Sequence, residues 1–369
     1  MARPHWDNAI AHFNDAVRAF VRDYFGAPDR TCLLVAAAGF DPRSRLIAEL
    51  LAATLGDRLH ALFIREERGK PDAALVSAAD ANEAELRALV PSCTVVTVDI
   101  FGDDDAPVAG SRIARALAAL EVAPEITDIV LDMTAVSIGI GFPAAKLLLE
   151  QCELQSDRAF HILIASNPEL DDQISSEPGG RPMAVRGYSG EDISASSLDM
   201  ARLWIPHLSK GKAAALDEIG RSVGECYKIC PVLPFPARDP RRADALMSEF
   251  RGAIVDEWAV DLRDMVYASE QNPLDCYRTL STLAARYRQA IADVFAPSIV
   301  VSPIGSKVMA VGAMMAALEH DLTVQYIETV RYDYQPAASA SEPVPEHLVH
   351  LLLSGPAYGD YGQAIEDGQ

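Results

Sequence analysis

The sequence predicts an α/β protein made of two Rossmann-like, doubly wound parallel-sheet halves. Apolar strand-like runs alternate with amphipathic helical stretches, as strands paired in parallel and covered by helices require. The alternation lapses near residue 170 and restarts near 225. An Asp-Pro-Arg triplet follows an apolar run in each half, in "AGFDPRSRLIAELL" (38–51) and "PARDPRRADALMSEF" (236–250).

"HWDNAIAHFNDAVRAFVRDYF" (5–25) has apolar residues at helical spacing and reads as a leading amphipathic helix within residues 1–27. The first half spans 28–170. "TCLLVAAAGF" (31–40) is a continuous apolar run, the mark of a strand buried on both faces. "RLHALFIRE", "CTVVTVDIF", "ITDIVLDMT" and "RAFHILIAS" follow as strands, with helical stretches between them. Residues 171–224 are rich in Pro, Gly, Ser and acids and read as an irregular connector with one helix near "KAAALDEIGRSV". The second half spans 225–336: strand "YKICPVLPF", helix 242–252, strand "DEWAVDLRDM", helix 273–295, strand "SIVVSP", helix "KVMAVGAMMAALEH" and strand "LTVQYIETVRYDY". Residues 337–369 form a C-terminal segment whose tail, "PAYGDYGQAIEDGQ" (356–369), is expected to fray. "DMTAVSIGIGFPAAKLLLE" (132–150) and "SPIGSKVMAVGAMMAALEH" (302–320) occupy the same slot in the two halves, which suggests an internal repeat.

The formal charge of −21, from 53 acidic and 32 basic residues, disfavours a duplex DNA partner. It leaves room for a small anionic ligand held by local cations and backbone amides. No apolar run approaches the roughly 20 residues of a membrane span, and "MARPHWDNAIAHF" lacks a signal-peptide layout. Six scattered cysteines read as reduced thiols, so a cytoplasmic location is expected. Cys226 and Cys230 lack further ligands at metal spacing, and neither a metal nor a cofactor is expected.

Ligands of open α/β sheets bind beyond the carboxyl ends of the strands, where helix N-termini converge. Asp41 and Asp239 can cap their helices, with Pro42 and Pro240 in the first turn. Capping does not explain Arg43 and Arg241, because a cation there opposes the helix dipole unless it faces an anion. In "SPIGSK", Gly305 permits close backbone approach, Ser302 and Ser306 offer hydroxyls, and Lys307 adds charge at a helix N-terminus. The spacing is not that of a Walker loop. Asp132 and Thr134 form a polar pair at another strand exit.

"SPIGSKVMAVGAMMAAL" resembles the lysine-bearing motif of the CRISPR-associated Rossmann fold (CARF) family, and "DMTAVSIGIGF" looks like a degenerate copy with Ser137 nearest the lysine position. The resemblance implies a homodimeric sensor of cyclic oligonucleotide second messengers. Gly305, Ser306 and Lys307 would carry over as ligand-binding, and Phe40 and Asp41 more loosely. Two departures stand out: the sheet is expected twice in one chain, and no nuclease or winged helix follows it. The resemblance therefore implies a prokaryotic antiviral-defence sensor acting on a separate effector, either a monomer with an internal pseudo-dimer or a homodimer. An enzyme acting on a nucleotide or phosphorylated substrate, as a transferase, lyase or ring nuclease, is the alternative, with Glu66, Asp264, Glu270, Asp275, Glu328, Arg331 and Asp333 near strand ends. No nucleophile, catalytic triad or G-x-S-x-G elbow is evident. A scaffold with vestigial pockets is the third reading.

Overall fold

The computed structural model describes residues 6–69, 71–155, 157–179, 181–190, 200–334 and 346–358. Much of the expected C-terminal segment and part of the expected connector lie outside these residues. The chain divides into two compact units: Asn8–Ser166 with Pro345–Gln369, and an inserted unit of Asn167–Val344 with Met1–Asp7.

The first unit carries β1 (Ala11–Phe13), α1 (Asp15–Phe20), β2 (Cys32–Ala37), α2 (Leu46–Leu55), β3 (Leu59–Glu67), α3 (Ala73–Leu89), β4 (Cys93–Asp99), α4 (Ala109–Ala118), β5 (Asp128–Asp132), α5 (Ile138–Glu153) and β6 (Ala159–Ser166). Strands β6-β5-β2-β3-β4 lie in that order and all pair in parallel, a Rossmann-like sheet. Every residue of β2, β5 and β6 is buried; for β2 the unbroken apolar run pointed to this, whereas β5 and β6 also bury Asp128, Asp132, His161 and Ser166. The apolar faces of α1 and α2 pack on β2 and β3 through Val17, Phe25, Ile47, Leu51, Leu34 and Phe63.

One expectation needs correction here. The leading helix starts only at Asp15 and runs into a π turn, Val21–Phe25. Residues 11–13 are a strand, and Asn14 adopts φ 52°, which stops helix from extending backwards. The C-terminal stretch "HLVHLLLS" is assigned no element from the sequence. It forms a strand, His347–Ser354, antiparallel to both β1 and β6 and almost wholly buried.

The inserted unit carries α6 (Pro168–Asp171), β7 (Ile174–Pro178), β8 (Met183–Ala184), β9 (Met200–Pro206), α7 (Ala213–Val223), β10 (Lys228–Ile229), β11 (Val232–Pro234), α8 (Arg242–Glu249), β12 (Val266–Ala268), α9 (Pro273–Ile291), β13 (Ala296–Ser302), α10 (Lys307–His320), β14 (Thr323–Tyr326) and β15 (Thr329–Tyr334). The C-terminal strand of the first unit is accordingly β16. The main sheet of the inserted unit has the order β10-β9-β13-β14-β8, parallel except for β8. Strand β9, beside the central β13, lies in the stretch read as irregular connector, where "MARLWIP" follows a polar segment that hides it. "YKICPVLPF" divides into β10 and β11, and β11 pairs with β12 in a separate two-stranded sheet. "LTVQYIETVRYDY" likewise divides, β15 pairing with β7. The expected strand "DEWAVDLRDM" (256–265) does not form: a π turn (Ala253–Glu257) and a 3-10 turn (Leu262–Asp264) occupy much of it, and β12 begins only after it, at Val266. Here Asp261 caps the turn through Arg263 N, 2.9 Å, a local bond that competes with a ladder. Among the described residues no helix is long and apolar enough to cross a membrane.

Candidate functional site

In the inserted unit, β9 and β13 are parallel neighbours. Each leads through a short loop into a helix, so both helix N-termini lie at the carboxyl edge of the sheet. The β13 loop is the predicted "SPIGSK". Gly305 takes φ +103°, and a Cβ there would run into the Ser209 side chain of the β9 loop. Glycine is therefore needed both for its backbone angle and for the close approach. The Ser306 hydroxyl accepts from Met309 N at 3.4 Å, a helix cap, and Ser302 Oγ accepts from Trp204 Nε1 at 3.0 Å inside the core. Both hydroxyls expected to meet a ligand thus have local structural partners.

Lys307 opens α10, and Lys212 stands at the N-cap of α7. The Lys212 ammonium contacts the Ser176 hydroxyl. Burial pulls this ammonium below its ordinary value; Asp171 opposes the shift and the Lys307 charge adds to it. Two lysines are thus near enough to feel each other where two helix dipoles already concentrate positive potential. The sequence reading missed Lys212 because "KGK" looks like any solvated turn.

An acid–base network flanks the pair. Asp172 accepts from Arg242 Nη1 at 2.7 Å and lies 3.3 Å from Lys210 Nζ. Arg242 Nε also lies 3.7 Å from Glu270 Oε1, and Glu270 Oε2 accepts from Arg238 N at 3.0 Å. Burial raises the Glu270 carboxyl, with the Arg238 amide and Arg242 opposing. Arg241, the arginine singled out in the second Asp-Pro-Arg triplet, is exposed at the N-cap of α8; its neighbour Arg242 turns into the network. That triplet follows β11, outside the main sheet. His207, just past β9, is 2% exposed with Nε2 unpartnered, and burial pushes its imidazole down to about 3, so it is neutral.

The first unit presents a different edge. Strand order reverses between β2 and β5, the crevice where open α/β sheets take ligands. Asp41 caps the first turn through Arg43 N at 2.8 Å, and its carboxylate forms a fork with the Arg43 guanidinium, at 3.0 and 2.7 Å. The anion that Arg43 faces is its own capping residue. Asn82 donates to Gly39 O and Asp41 O and pins the loop that carries half-buried Phe40. Asp132 ends β5, accepts from Thr134 N at 2.9 Å and is buried; Thr134 Oγ1 in turn accepts from Ala165 N. Burial raises Asp132 to about 7; Thr134 opposes this and Asp41 adds to it. Glu66 binds Ser137 N at 2.8 Å and Arg68 at 2.9 Å.

Of the remaining acid–base candidates, Asp275 accepts from Ser269 N at 2.7 Å at a helix start, Asp264 pairs with Lys228 at 2.7 Å, and Glu328 is buried. Arg331 and Asp333 point to solvent from β15. Among the described residues no group of His, Cys, Asp or Glu is arranged to hold a metal ion, and all six cysteines are free.

Comparison with known proteins gives no family. No protein-family model and no curated protein matches the chain. Among solved structures, an NH3-dependent NAD synthetase of Campylobacter jejuni, in complex with a nitrate ion, aligns over 82% of this chain and 92% of its own at 11% identity and a TM-score of 0.21. A likeness that slight carries no argument.

Proposed function

We propose that the inserted unit binds an anionic, phosphate-bearing ligand of nucleotide type at the exits of β9 and β13. The observation that carries this reading is the close approach of Gly305 to Ser209, which brings together the loop that leads to Lys212 at the N-cap of α7 and the loop that leads to Lys307 at the start of α10. Each lysine stands where a helix dipole disfavours a cation, at about 0.3–1 kcal/mol for each dipole contact, with Asp171 offsetting part of this at Lys212. A phosphate reverses the sign of both terms and accepts from the first-turn amides. Gly305 and Ser209 bring the two loops close enough for one group to meet both. The finer reading, a sensor of cyclic oligonucleotides that acts on a separate effector in the cytoplasm, rests on the likeness of residues 302–318 to the CARF motif.

Calorimetry with inorganic phosphate, linear nucleotides and cyclic oligonucleotides tests this. Lys212→Ala and Lys307→Ala should each weaken the tightest of these by about 1–3 kcal/mol, as for charge-assisted contacts. Unchanged affinity in both variants would sink the site. Preference for cyclic over linear forms supports the sensor. Conversion of the nucleotide during the titration supports the alternative of an enzyme, for which the Glu270 carboxyl, raised by burial and in the same unit, is the acid–base candidate.

A further inference from the structure

Asp128 opens β5, and His161 lies near the start of β6, so both stand at the end of the sheet opposite the ligand edge. A chain of hydrogen bonds starts from them. His161 Nε2 lies 3.0 Å from Asp128 Oδ1, His161 Nδ1 lies 2.9 Å from His350 Nε2, and His350 Nδ1 lies 3.0 Å from His12 Nδ1. Asp128, His161 and His350 are 0% exposed, whereas His12 on β1 is only half-buried. Phe20 stacks on His350 and His12, with ring centroids 4.1 and 4.6 Å apart. The nitrogens meet in successive pairs and do not converge on one point, as a metal would demand.

Asp128 also accepts from Tyr24 OH at 2.9 Å and Thr127 Oγ1 at 2.6 Å, and Arg30 lies 3.6 Å away. Cys32 of β2 and Cys152 of α5 feel its charge, and Arg158 holds the carbonyls of Ile126 and Ala123 nearby. On β16, His347 is engaged separately with Asn14 Oδ1 at 3.0 Å.

These partners fix the proton arrangement. An ionised Asp128 takes a proton from His161 Nε2, so neutral His161 must accept at Nδ1 from His350 Nε2. Neutral His350 must then accept at Nδ1 from His12 Nδ1, leaving His12 Nε2 as the free acceptor. One added proton enters there, and its charge can hop along the rings to sit beside Asp128 with every bond kept, donors and acceptors simply exchanging. A second proton has no place: two facing ring nitrogens would both carry hydrogen, and a contact must break.

We infer that the His12–His350–His161–Asp128 chain is an acid-sensitive clasp on β16, taking up one proton through His12 and releasing the β1–β16 pairing at the second. Burial holds His350 well below the usual histidine range, helped by the His161 and His12 charges, and burial also lowers His12. A histidine depressed in the fold contributes stability that is present above its unfolded value of about 6.5 and lost as pH falls toward the folded one. The sign therefore agrees with release in acid.

The test is imidazole 15N spectroscopy and amide hydrogen exchange on the full chain between pH 8 and 4.5. The three rings should together bind one proton while β16 amides stay protected. Below that step those amides should exchange at least tenfold faster after correction for intrinsic rates, while β2 and β5 amides do not. His350→Phe, which keeps the stacking on Phe20, should abolish the acid step, and His60→Gln should leave it intact. Should His350→Phe fail to fold, His12→Gln must remove the first proton uptake. Three rings charging independently with β16 still protected, or an acid step that survives in the folded variant, overturns the clasp.

Discussion

Asp41-Pro42-Arg43 and Asp239-Pro240-Arg241 are the same three residues performing one shared task and one different task. In both, the aspartate accepts from the amide two residues on, at 2.8 Å in one and 2.9 Å in the other. Only in the first is the arginine buried and forked onto that aspartate; Arg241 is exposed. The difference shows how far a local motif determines structure. Its backbone bond forms wherever the triplet occurs, but the fate of the arginine depends on the framework: a crevice between β2 and β5 in one unit, a short side sheet in the other. The two carboxyl edges differ in the same way: one carries the Asp41–Arg43 fork, and the other places Lys212 and Lys307 at helix N-termini.

The largest effect that sharpens this contrast is on stability. Arg43→Ala leaves the Asp41 carboxylate buried without its partner and should cost about 3–5 kcal/mol, whereas Arg241→Ala should stay within about 0.5 kcal/mol. Urea denaturation of the two variants side by side reads both; equal losses would erase the distinction.

Gly305→Ala comes next. Its φ of +103° and the Ser209 side chain both oppose a Cβ, for a loss of roughly 1–3 kcal/mol. Adding Ser209→Gly should recover only the part due to the clash, so a double-mutant cycle separates strain from crowding.

The smallest effect is a slope. Asp132 is raised to about 7, so its contribution to stability is full below its unfolded value of about 3.9 and is lost as pH rises through 7. Asp132→Asn removes that loss. Its melting temperature relative to the parent should therefore climb between pH 4 and pH 8, and a flat difference would mean that Asp132 titrates normally.

How much was legible in the sequence follows the same logic. Strand β2 announced itself because burial on both faces leaves no polar interruption in "CLLVAA", and β5 and β13 by the short apolar cores of "DIVLD" and "SIVVS" set between helical stretches. Strands β9 and β16 are as buried but stand outside the alternation, and an isolated apolar run says nothing about its neighbour. The Gly305–Lys307 loop was visible because glycine, serine and lysine at a strand-to-helix junction have local reasons to be there. Lys212 was not, since its meaning comes from β9 lying beside β13. Arg241 and Arg242 differ by one helical step, about 100° of rotation, and only the fold shows that Arg242 is the one in contact with Asp172 and Glu270. The three histidines are separated by most of the chain, and only strand pairing assembles them.

The pairing of β16 also bears on how the protein is made. During synthesis β6 emerges before the whole inserted unit, and the strand that covers its edge emerges after it. At ribosomal rates of about 5–20 residues per second the β6 edge, all apolar but for His161 and Ser166, stays open for roughly 10–35 s. An open edge of that kind invites pairing with other chains. The nascent first unit thus passes through a window of vulnerability that closes only when "HLVHLLLS" arrives.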